Sequence, residues 1–176
     1  MSKYSKAKKE LKKIANKVGT NPVKISISDE TSLFSPFAEN NQTVISGEFA
    51  NFLDNAVKDV PIKEDLTLEI TTNKYTEKSI SKAIKNYYYS EFIETERKLK
   101  NNLLLTLITL FVGIGALAAA LILTYNGTLV LLQGAIDIFA WVFMWETVDL
   151  FFFRRPELKF QQHRQINLIN AKIIIK

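Results

Sequence analysis

The stretch LLLTLITLFVGIGALAAALIL at residues 103–123, then TYNGT at 124–128 and LVLLQGAIDIFAWVFMWETVDLFFF at 129–153, decides how the chain is read. The first run has 21 residues and no charge. About 20 apolar residues in a helix cross a hydrocarbon core of roughly 30 Å. Its polar side chains are Thr106 and Thr109, and each can bond back to the backbone of its own helix. The second run carries Gln133, Asp137, Glu146 and Asp149, and Arg154-Arg155-Pro156 marks its end. Counting back about 20 residues from Phe153 puts the far boundary near Gly134, and the second span is taken as about 132–153. The fold expected is an α+β membrane protein. A two-helix transmembrane hairpin is inserted in a small cytoplasmic domain with a short sheet and flanking helices.

Several residues of the hairpin invite a closer reading. Gly113, Ala116 and Ala120 share a helix face, and small residues four apart let two helix backbones approach closely in lipid. Glu146 lies seven residues inside Phe153, about 10 Å at 1.5 Å per residue. A carboxylate at that depth is costly and often marks a function. Antiparallel pairing of the helices puts Glu146 level with Thr106 to Thr109. It then reads either as a protonated acid bonded to a threonine or as a group lining a polar path. Asp149 falls within reach of Lys100, Arg154 or Arg155 and reads as an interfacial ion-pair partner. Trp141 and Trp145 stand two to three turns inside Phe153, deeper than an aromatic interface belt, so they are expected to pack between helices.

The flanks set an orientation. Arg97, Lys98 and Lys100 precede the first run, Arg154, Arg155 and Lys159 follow the second, and the connecting loop has no Lys or Arg. The positive-inside rule puts both termini in the cytoplasm, in a multi-pass cell-membrane protein. Residues 1–102 carry 17 basic and 14 acidic side chains, and residues 154–176 carry six basic and one acidic. This basic excess, beside the membrane and at the N-terminus, fits an anionic leaflet better than nucleic acid. The chain has no cysteine, so disulfides, thiolate metal sites and cysteine nucleophiles are excluded. Its first 22 residues are Lys-rich and lack the apolar core of a cleavable signal.

The remaining chain divides into 1–102 before the hairpin and 154–176 after it. Residues 2–19 read as a basic amphipathic helix. Tyr4, Ala7, Leu11, Ile14 and Val18 share one face, with Lys6, Lys9, Lys13 and Lys17 among the lysines between them. Such a helix can lie on an anionic membrane, bind nucleic-acid phosphates, or pack on its own domain. Residues 23–28 alternate at period two and predict a strand, as do 66–71. Thr43 to Ser46 read as a short strand. Ser46 is placed to cap a helix reaching Lys58, with Phe49, Phe52, Leu53 and Ala56 turned inward. A long helix over 76–101 buries Ile80, Ala83, Ile84, Tyr87 and Tyr88 and runs on, with or without a bend, into the first span. Residues 158–169 begin as a helix. The terminal strand at 171–175 would be an aggregation hazard if left free, so it is expected to pair with the strands at 23–28 and 66–71.

Trp141-Val142-Phe143-Met144-Trp145-Glu146-Thr147-Val148-Asp149 resembles the Trp-Val-x-x-Trp-Glu-x-x-Asp segment of uncharacterised two-helix prokaryotic integral membrane proteins. The resemblance implies a membrane protein and brings no activity with it. The residues themselves show no glycine-rich phosphate loop. The single histidine, His163, has no metal partner set in sequence, and neither metal nor cofactor is expected. The function expected is non-enzymatic, with the cytoplasmic domain serving self-association and the binding of a protein partner or the membrane surface. The alternative is an oligomeric ion or proton pathway using Glu146.

Overall fold

The computed structural model describes residues 22–27, 32–37, 43–62, 64–127 and 130–176. The basic helix expected over 2–19, with Lys6, Lys9, Lys13 and Lys17, lies outside the described residues. The elements are β1 (Val23–Ser26), α1 (Gly47–Ala56), β2 (Thr67–Thr71), α2 (Glu77–Tyr125), α3 (Val130–Val148), a π-helical turn (Asp149–Arg154), α4 (Arg155–Ile169) and β3 (Lys172–Ile175). By contact they form two compact bodies. One holds the sheet, with the chain up to Phe92 and again from His163, and the other is Ile93–Gln162.

In the first body the strands lie in the order β1-β2-β3 and every pair is parallel. Helices connect each strand to the next, and parallel neighbours need such crossovers. Both crossovers step the same way across the sheet. The usual right-handed connection then puts their helices on one face. Accordingly, Leu53 of α1 and Ile80, Ala83, Ile84 and Tyr88 of α2 share one core with Ile25, Leu68 and Ile70 of the sheet. The other face carries Lys24 beside Glu69 in register, and Lys176 also pairs with Glu69. Those cations hold the Glu69 carboxyl below the usual carboxylate range. Among the described residues β3 pairs with β2 alone, Ile173 beside Leu68 and Ile175 beside Ile70, so its place is at the edge opposite β1.

α1 begins where Ser46 accepts a hydrogen bond from the Phe49 N–H at 3.3 Å. Its buried residues are Ala50 and Leu53, whereas Phe52, expected inward, is 51% exposed. Ala50 and Leu53, three apart, define the inward stripe, and Phe52 falls one residue off it. Past the helix end, Arg164 donates to the Lys58 carbonyl and Asn167 to the Ile62 carbonyl, so the end of α4 is tied to the loop after α1. The strand expected at 43–46 is a single antiparallel bridge, Phe34 to Ile45, which buries Leu33 and Ile45.

α2 has no break between the expected helix at 76–101 and the apolar run after it. No proline interrupts it, and it ends at Asn126-Gly127, where Gly127 takes φ +67°. Among the described residues, α2 is the helix long and apolar enough to cross a membrane.

In the second body α3 returns along α2. The Thr147 hydroxyl donates to Thr109 Oγ1 at 2.9 Å, and Met144 lies against Gly113, where an added Cβ would stand 3.0 Å from its Sδ. Ala120 and Ala140 are buried, so small side chains allow the close approach. Trp141 and Trp145, expected between the helices, are instead 69% and 71% exposed. They are one residue past Ala140 and Met144, which turns them about 100° away from the contact face. The helical course also continues through Arg154-Arg155-Pro156, where an end was expected. Proline lacks an N–H and clashes with the carbonyl four residues back. Here the preceding turn is widened, with the Arg155 N–H bonding the Leu150 carbonyl, and Pro156 falls at the start of α4.

Candidate functional site

The first site lies on the second body and gathers the acidic residues singled out above. Arg154 reaches back along its own helix. Its Nε is 2.7 Å from Asp149 Oδ2, and its Nη2 is 3.6 Å from Glu146 Oε1. The widened turn brings position 154 over position 149, five residues earlier, where an α-helix would offset them. Glu146 is therefore tied to a cation and not to a threonine. Thr106 and Thr109 bond back to the Asn102 and Leu105 carbonyls, and Thr109 also receives Thr147. Lys100 pairs with Glu96 and Lys98 with Glu94, each four residues apart. The three charged side chains of the cluster are 45% (Glu146), 38% (Asp149) and 58% (Arg154) exposed, and two acids against one base leave one net negative charge.

The second site lies on the first body. A cavity of about 220 Å³ opens between Ile25 and Ser26 of β1, Ile27 just after it, and Phe49 and Phe52 of α1, with Glu48 also in its lining. The Ser32 and Ser46 hydroxyls also line it, and each is engaged: Ser46 caps α1, and Ser32 donates to the Phe34 carbonyl at 2.8 Å. The cavity is at the carboxyl end of a parallel strand and the start of the following helix, where open α/β sheets commonly bind ligands. Nothing in the sequence reading pointed here. The signal available was Phe52, an aromatic residue one place off the buried stripe of α1.

A third group is structural. Tyr88, buried, donates its hydroxyl to Asp54 Oδ1 at 2.8 Å and lies 3.3 Å from the Ala50 carbonyl. Burial raises the Asp54 carboxyl above its usual range, against the lowering effects of Tyr88 and Arg164. The Tyr88 hydroxyl is also pushed up, first by burial and then by Asp54. No three acidic or histidine side chains among the described residues come together to hold a metal ion.

No family model, no curated protein and no solved structure matches the chain.

Proposed function

We propose that the protein is a membrane-anchored binding protein. α2 and the α3–π segment cross the bilayer as a hairpin, and the sheet body is held at the cytoplasmic face, where it engages a protein partner. The observation that carries this reading is the pairing of β2 with β3. β2 precedes the apolar run of α2 and β3 follows α3 and α4, yet the two strands share one ladder. If α2 crosses a bilayer, the chain must return before β3, and the segment available for the return is α3 with its widened turn.

Three further features support it. Large apolar side chains of α2 and α3, among them Phe111, Leu121, Ile138 and Val142, are exposed in the isolated chain, as lipid-facing residues should be. Lys and Arg flank the hairpin on the domain side, and the loop at 124–128 has none. The positive-inside rule counts those residues, so the pairing of Lys98 and Lys100 with glutamates does not weaken it. The Trp-Val-x-x-Trp-Glu-x-x-Asp segment also resembles that of two-helix prokaryotic membrane proteins. Self-association within the membrane is part of the reading. A half-exposed cluster of Glu146, Asp149 and Arg154 is costly against lipid and is relieved when a second copy covers it.

Alkaline carbonate washing of membranes from expressing cells tests the anchoring. The full chain should stay with the membrane pellet. Release into the supernatant would contradict it.

A further inference from the structure

We propose that the outer edge of β1, with the cavity beside it, takes an extended peptide segment of a partner as an added strand. One apolar side chain of the segment enters the cavity, and a basic side chain meets Glu48. The inference rests on the partner-binding half of the proposed function and not on the membrane half.

Among the described residues, β1 is an edge strand. Its ladder to β2 uses alternate residues, and the Ile27 N–H bonds the Thr71 carbonyl at 3.1 Å. The backbone N–H and C=O groups of Lys24 and Ser26 therefore point away from β2. A backbone running alongside can satisfy these groups in order, and strand addition uses exactly such an edge.

The cavity lies along the same edge. Successive strand side chains point to opposite faces. A cavity touching Ile25, Ser26 and Ile27 in turn reaches the strand's flank as well as the face covered by α1. Phe49 and Phe52 make its far wall apolar. At about 220 Å³ it is smaller than the roughly 300–1,000 Å³ that bury a whole small-molecule ligand. That volume suits a side chain presented by a strand. Glu48 is the one charged residue of the described lining, and it is exposed in the first turn of α1. A carboxylate there repels acidic segments and favours a lysine or arginine two residues from the apolar anchor, on the same side of the segment.

The test uses the full chain in lipid nanodiscs and a panel of acetylated, amidated hexapeptides. Each peptide alternates threonine and valine around a central leucine or phenylalanine, with lysine two residues after it so that both face the same side. A matched set carries glutamate in place of the lysine. The lysine set should bind saturably and the glutamate set about tenfold more weakly, a difference of about 1.4 kcal/mol. Ser26→Pro should abolish binding while the β2 amides keep their exchange protection, because proline is accepted where an edge N–H faces outward. Glu48→Lys should reverse the preference between the two sets. Phe52→Ser, at an exposed position, should weaken binding about tenfold and gives a second variant should Ser26→Pro disturb the sheet. The proposal is overturned by the absence of saturable binding up to about 1 mM across the panel. It is overturned equally by wild-type affinity in both Ser26→Pro and Phe52→Ser, or by an unchanged preference in Glu48→Lys. A fall in oligomeric mass on Ser26→Pro, without peptide competition, would assign the edge to a second copy and overturn it too. None of these outcomes bears on carbonate extraction, which reads the anchoring separately.

Discussion

Leu68 and Ile70 of β2 are fully buried, whereas Leu121 and Ile122 of α2 are 71% and 62% exposed. The four side chains are equally apolar, yet one pair is hidden by its own body and the other is not. The difference is the one that the proposed membrane hairpin requires, a sheet body in water and a helical body in lipid. The sheet body hides its large aliphatics behind α1, the start of α2 and the end of α4, as a water-facing domain must. The helical body spends its close packing on Gly113, Ala120, Ala140 and a threonine pair, and turns its large residues outward. That inversion is what lipid allows, because hydrocarbon tails are as apolar as leucine.

Substitutions that move a residue between these regimes sharpen the contrast. The largest effect is expected from Ile70→Ala, which empties a fully buried site at the centre of the sheet and should cost about 2–5 kcal/mol. Hydrogen exchange of the β2 and β3 amides would report it, and unchanged protection would deny that this strand is the core. Ile114→Arg comes next. Ile114 is half exposed near the middle of the apolar run. A charge there costs about 2.5–3.5 kcal/mol of insertion, but on a water-facing surface only about ±0.5. The fraction of chain that is membrane-inserted separates the two.

Gly113→Leu should then prise α3 from α2, because Met144 already fills the space a Cβ would need, at about 1–3 kcal/mol. Cross-linking between Thr109→Cys and Thr147→Cys, introduced together, should fall in that background. Tyr88→Phe removes a buried hydroxyl bonded to Asp54 and should cost about 1 kcal/mol by thermal unfolding.

Asp54 also sets a pH dependence. Its carboxyl is raised in the folded state, so the native chain holds more protons than the unfolded chain between the ordinary and the raised value. Stability from this group is present below the ordinary carboxylate pKa and lost as pH rises through the raised one. Asp54→Asn should flatten that slope while still accepting from Tyr88. Glu69 acts with the opposite sign, since its lowered carboxyl costs stability as pH falls through that lowered value. The smallest effect belongs to Glu146→Gln. Arg154 keeps Asp149, so assembly should change by less than about 1 kcal/mol. Conductance of proteoliposomes should equal that of the unmodified chain, and its loss would restore Glu146 as a pathway residue.

Much of this was legible in the sequence, and the parts that were not share a cause. β1 and β2 announced themselves by alternating apolar residues, β3 by its run of isoleucines, α1 by Ser46, and the turn between the long helices by Asn126-Gly127. Strand direction did not, because a period of two is the same in parallel and antiparallel ladders. The facing of Trp141 and Trp145 was inferred from depth, and depth says nothing of rotation about the helix axis. Arg154 was among the partners expected for Asp149, but its second contact, with Glu146, depends on a widened turn that no residue spacing announces, and Pro156 read as a stop because an ordinary helix would have stopped there. The groove at β1 was invisible for the same reason. It is made by residues spread from Ile25 to Phe52, meeting only after the crossover has formed.

The central claim is that the chain crosses the bilayer twice and returns. The protein has no cysteine, so single substitutions give unambiguous labelling sites. Asn126→Cys, Lys85→Cys and Asn170→Cys, all at exposed positions, would be treated with a membrane-impermeant maleimide in intact and in lysed cells. Labelling of Asn126→Cys in intact cells, with Lys85→Cys and Asn170→Cys labelled only after lysis, is the predicted result. Labelling of Asn170→Cys together with Asn126→Cys in intact cells would mean a single crossing. Protection of all three until lysis would mean none, and either result would contradict the hairpin.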